Sequence, residues 1–115
     1  MTVIVLPMPP SVNGLFAGKS RRHLSDEYKA WREEAGWELK RQKPLPCLGK
    51  VSLLIEVAEP KTKRATDLSN RCKACEDLLV TYGIIEGDSQ HFVRRIVLEW
   101  SDKIEGVQIT IASFP

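Results

Sequence analysis

The sequence predicts an α/β domain of the mixed α+β kind, in the order β-α-β-α-β-β, with a single mixed sheet covered by two helices. Three observations carry this. Two stretches show apolar residues at helical spacing between start and stop signals, four runs rich in β-branched residues have strand length, and the helices alternate with the early strands before two strands follow in succession. At 115 residues the chain is expected to form one domain over residues 1–115, long enough to bury a core and too short for two.

The first run, TVIVL (residues 2–6), is nearly continuous in apolar residues and stops at Pro7, which predicts a strand buried on both faces. Residues 6–23, LPMPPSVNGLFAGKSRRH, have loop chemistry for most of their length. Ser25 then caps a helix with Asp26 and Glu27 in its first turn and Lys40 and Arg41 in its last, matching the macrodipole at both ends. Tyr28, Trp31, Ala35 and Leu39 form its buried stripe; Trp37 falls off it, at a peripheral contact or a subunit interface.

Pro44, Pro46 and Gly49 break the chain before the second strand, VSLLIEVA (residues 51–58). A basic loop leads to a second helix, with Thr66 or Asp67 as N-cap and Gly83 as its stop. Leu68, Cys72, Cys75 and Leu79 form the buried face, leaving Asn70, Arg71, Lys73, Ala74 and Asp77 for the other side. FVRRIVLEW (residues 92–100) and EGVQITIAS (residues 105–113) read as strands, and SDKI between them as the turn of a hairpin.

Composition bounds the function. The chain is 43% hydrophobic and 28% charged, ordinary for a globular protein, and no apolar run approaches the roughly 20 residues of a membrane span. A secretory leader is not expected, since the N-terminus lacks a basic region and meets Pro7, Pro9 and Pro10 early, so a cytoplasmic location is expected. Three cysteines, two of them one helical turn apart, do not make an extracellular disulfide framework. Cys72 and Cys75 lack the further ligands and spacing of a zinc site, and mid-helix on an apolar stripe they read as buried, inert thiols. A net charge of +2 announces no nucleic-acid binder, but basic residues cluster at 19–22, 40–43, 61–64, 71–73 and 94–95.

The chemistry concentrates in TDLSNRCKACEDLLVTYGIIEGDSQ (residues 66–90), where Asp67 at the helix start and Glu86 and Asp88 beyond its end bracket Lys73. Singly, these residues are a helix cap, a turn acid and an i,i+4 surface pair with Asp77 in its weaker orientation. In combination they are what metal-dependent phosphoryl transfer requires: carboxylates for Mg²⁺ and a cation to meet charge building up on phosphate. Asp77 lies about 15 Å along a helix from Asp67, too far to share an ion with it. Asp88 lies beyond the helix stop, and a returning loop brings it to the helix start or leaves it at the far end.

Two blocks resemble the RusA-like Holliday junction resolvases. LPMPPSVN (residues 6–13) is similar to that family's L-P-x-P-P-S-x-N signature after the first strand. DLSNRCKACEDLL followed by GIIEGDSQ is similar to its D-x-D-N-x-x-K helix motif and downstream acid. The resemblance covers nearly the whole chain and implies a RusA-like fold and a homodimer that binds branched DNA, nicking four-way junctions by Mg²⁺-dependent phosphodiester hydrolysis in recombination and repair. No membrane and no small-molecule cofactor are implied. It matches Asp67, Lys73 and Asp88 to the family's catalytic residues and Asn70 to its motif asparagine; from that match Asp67 and Asp88 are expected to hold the metal beside Ser69, and the basic residues Lys61, Lys63, Arg64 and Arg71, with Asn70, are expected to hold DNA phosphates. Ser69 stands where the family has its second acid. Mg²⁺ takes one or two protein carboxylates, so Asp67 and Asp88 suffice for one ion, with Ser69 ligating weakly or through water. The alternative is a catalytically weak or inactive branched-DNA-binding protein of the same fold, and a third reading is an interaction domain whose acids only cap helices.

Overall fold

The computed structural model describes residues 1–11, 14–18, 23–62 and 65–115. The basic cluster at 19–22, Asn13 of the proline-rich signature, and the expected DNA contacts Lys63 and Arg64 lie outside the described residues. The elements are β1 (Thr2–Leu6), β2 (Phe16–Ala17), β3 (His23–Leu24), α1 (Asp26–Gln42), β4 (Val51–Ala58), a 3₁₀ turn (Leu68–Arg71), α2 (Cys72–Thr81), β5 (Val93–Ser101) and β6 (Val107–Ser113). Four strands form one mixed sheet in the order β1-β6-β4-β5, parallel only between β4 and β5. A parallel pair needs a long crossover, and α2 supplies it. The short antiparallel ladder of β2 with β3 falls at the end of the stretch expected to be mostly loop, pairing Phe16 with Leu24 and Ala17 with His23.

One face of the sheet carries the core. Ile4, Leu6, Val51, Leu53, Ile55, Val57, Val107, Ile109 and Ile111 join Tyr28, Trp31, Ala35 and Leu39 of α1 and Ala74, Cys75, Leu78 and Leu79 of α2 in one buried cluster. The α1 cap is as expected: the Tyr28 amide donates to Ser25 Oγ at 3.0 Å. Gly36 of α1 leaves room for the Tyr82 ring, whose hydroxyl end sits where a side chain at 36 would begin. Trp37 is exposed, with the Lys40 ammonium 4.9 Å from its ring centroid.

Three expectations are corrected. The last two strands are not a hairpin, because β4 lies between them and pairs with both. The link over residues 102–106 crosses the end of β4, with the Glu59 amide donating to Ser101 O and the Ala58 amide to Gly106 O. β6 is apolar enough to be central, while Arg94, Arg95 and Glu99 suit β5 to an edge. Next, β1 is buried on one face only: Val3 and Val5 are exposed because the helices lie on the other side. Finally, Ala74 is buried while Leu68 and Cys72 are half-buried. The chain enters α2 through a 3₁₀ turn, whose tighter winding shifts the apolar stripe from its ideal α-helical phase.

Candidate active site

The expected site residues fall around the start of α2 in two groups, Asp67 with Asn70 and Arg71, and Lys73 with Asp88. Asp67 is extended (φ −89°, ψ 132°) and its side chain makes no capping hydrogen bond, so the expected cap role is not realised. The carboxylate lines a cleft of about 530 Å³ together with Asn70, Arg71, Ser11, Pro60 and Thr62. Ser11 comes from the proline-rich segment, which two side chains hold: Trp31 Nε1 donates to Pro7 O at 2.9 Å and Arg71 Nη1 to Pro9 O at 2.6 Å. That segment therefore reaches the cleft at Ser11 and is tied to it through Arg71. Ser69 is exposed on the 3₁₀ turn, and Lys61 lines a separate cleft of about 610 Å³ beside residues 101–106.

Asp88 returns to the head of α2. The helix ends in a Schellman motif, with the Ile84 amide donating to Leu79 O, the Gly83 amide to Val80 O, and Gly83 left-handed at φ 70°. Ile84 and Ile85 are buried, and the Cys47 amide donates to Ile84 O at 2.8 Å, tying this exit to the entry of β4. A turn at Ser89 follows, closed by the amides of Phe92 and Val93. Between the two anchors, Asp88 Oδ2 lies 3.6 Å from Lys73 Nζ. Glu86 is exposed on the same loop.

Lys73 is shared. Its ammonium is 3.1 Å from Asp77 Oδ1, nearer than Asp88, and the hydrogen bond to Asp77 is the largest influence raising its pKa. Glu76, which the sequence reading passed over, is half-buried. Burial pushes its carboxyl above the usual range, the hydrogen bond from Cys72 opposes this, and nearby Asp88 adds to the rise. Its place three residues after Lys73 and four after Cys72 was the signal available in the sequence. Cys72 and Cys75 are thiols pushed up to about 12 by burial, far from the thiolate that nucleophilic or metal chemistry needs.

The structure thus joins Lys73 to Asp88, and Asp67 to Asn70 and Arg71. The oxygen donors of Asp67, Ser69 and Asp88 have the hardness that Mg²⁺ selects. Among the described residues no group of three or more His, Cys, Asp or Glu is arranged to hold a metal ion, and the cleft that Asp67 lines does not include Ser69 or Asp88; Mg²⁺ needs only one or two protein carboxylates, with water and phosphate completing its shell. No helix among the described residues is long and apolar enough to cross a membrane.

The family model for endodeoxyribonuclease RusA matches residues 7–112 of the 115-residue chain. No curated protein matches the chain significantly.

Proposed function

The chain belongs to the endodeoxyribonuclease RusA family, a family of junction-resolving nucleases, and from that premise we propose that it is a Mg²⁺-dependent endonuclease cleaving four-way DNA junctions. The observation that carries the reading is the return of Asp88 to Lys73 at the head of the helix that Asp67 precedes. Asp67, Asp88 and Ser69 are the residues that would hold Mg²⁺. When bound, that ion supplies polarisation of the scissile phosphate and of the attacking water.

The chain's own residues do the rest. Lys73 presents an ammonium to the negative charge that develops on the phosphate, an electrostatic contribution realised most fully in the transition state. Asn70 and Arg71, on the cleft of Asp67, with Lys61, Lys63 and Arg64 on the preceding loop, hold backbone phosphates, which gives affinity and register without sequence readout. Two symmetric nicks require two such sites, so the acting species is a homodimer. Its place is the cytoplasm, in recombination and repair.

A second reading rests on Ser69, which stands without a carboxylate on the 3₁₀ turn: a junction binder that cleaves slowly or not at all. One experiment separates them. A labelled four-way junction and a matched linear duplex are each incubated with the protein in Mg²⁺ or EDTA, beside Asp88→Asn. Paired nicks confined to the junction and lost with EDTA or in the variant are expected. Tight junction binding without nicks in any divalent metal selects the binder, and Asp88→Asn cleaving at the wild-type rate overturns the site assignment.

A further inference from the structure

Lys73 is one ammonium between two carboxylates, 3.1 Å from Asp77 and 3.6 Å from Asp88. A lysine N-terminal to an aspartate at this spacing is the weaker helix orientation, and the pair is substantially solvent-exposed, so it adds little to helix stability. Its effect lies in where the ammonium spends its time. An ammonium seated on Asp88 opposes any divalent cation approaching that carboxylate, because like charges repel and the oxygens are shared. Asp77 offers the same ammonium a second seat one turn along the helix, without removing it from the site.

We propose that Asp77 is a positioning residue: by drawing Lys73 from Asp88, it sets how readily Asp88 accepts a divalent cation. The inference rests on the metal reading of Asp88 given above. Removing the Asp77 charge leaves Lys73 to Asp88 and weakens cation binding; removing Lys73 frees Asp88 and strengthens it. If Asp77 acts through Lys73, its removal matters little once Lys73 is gone, which separates this role from the field that any nearby carboxylate exerts.

The test is Mn²⁺ titration of the intact, DNA-free protein, read by electron paramagnetic resonance, for wild type, Asp88→Asn, Asp77→Asn, Asp77→Glu, Lys73→Met and the double variant Asp77→Asn/Lys73→Met. All the changed side chains are at least partly exposed, and each variant's melting curve is recorded beside its titration. Asp88→Asn is expected to lose the site. Asp77→Asn weakens binding about threefold to tenfold, within the coupling range of contacting side chains, and by less than about twofold in the Lys73→Met background. Lys73→Met binds more tightly than wild type, and Asp77→Glu, which restores a carboxylate, recovers most of the affinity. An equal loss from Asp77→Asn in both backgrounds overturns the proposal and leaves the metal reading standing. Mn²⁺ binding indifferent to Asp88→Asn overturns both.

Discussion

The covered face of the sheet and the head of α2 are held by different physics. On the sheet, Val51, Leu53, Ile55, Ile109 and Ile111 are at most 1% exposed and are fixed by apolar neighbours on every side. At the head of α2 the charged side chains are placed by a few polar contacts: Arg71 to Pro9 and Lys73 to Asp88 across the chain, and Lys73 to Asp77 one turn along the helix. Stability therefore resides in one region and chemical geometry in the other, and a substitution should disturb mainly the property of the region it falls in.

The largest expected effect is on the site side of that division. Lys73→Met should slow junction nicking about 100- to 1000-fold, the usual cost of losing one group aimed at transition-state charge. Its unfolding free energy should stay within about 1 kcal/mol of wild type, because the lost pairs are exposed. Single-turnover nicking beside urea denaturation reads both, and a large loss of stability would break the division. The converse is Ile55→Ala, which should cost about 2–5 kcal/mol through lost burial and the cavity left behind. Nicking per folded molecule should be retained, and a rate that falls further than the folded fraction would show that the core tunes the site.

Trp31 belongs to both regions, since its ring is in the core and its Nε1 holds Pro7 O. Trp31→Phe keeps an aromatic ring and removes the bond, so it should cost about 1 kcal/mol and also weaken junction binding. A variant that loses stability alone would place the proline-rich segment outside DNA contact. The smallest effect is a pH dependence at Glu76. Its folded pKa is raised, so its protonated form favours the fold: that contribution is full below the ordinary value of 4.5 and is lost as pH rises through the folded value. Glu76→Gln should therefore denature at higher urea than wild type at neutral pH, with the advantage vanishing in acid. An advantage that grows in acid would reverse the assigned sign.

Local signals were legible and long-range ones were not. Ser25, the flanking charges and the Tyr28, Trp31, Ala35, Leu39 spacing defined α1 because capping and amphipathicity are written within a few residues. Gly83 marked the end of α2 for the same reason. Strand order failed because a turn-like SDKI describes only the link, whereas the place of β6 depends on two partners far along the chain. The one local clue was charge: Arg94, Arg95 and Glu99 argued for an edge, and the apolar alternation of VQITIA for the centre. At the site, residue types near Asp67 and Asp88 signalled the chemistry. Spacing gave the Lys73–Asp77 pair, but the approach of Asp88 to Lys73 and the hold of Trp31 and Arg71 on the proline-rich segment needed the fold, since these contacts join segments that sequence spacing does not relate.

The central position of β6 bears on how the protein comes into being. β1 and β4 are both paired to β6, with Thr2 opposite Ile111 and Val51 opposite Ser113, yet β6 is the last element in the chain. Until β6 has been made, β1 has no neighbour in the sheet, and β4, although β5 can pair with one side of it, keeps the other edge open. The sheet then closes in one late event that joins the two ends of the domain, and chaperones that shield nascent chains have their window before it.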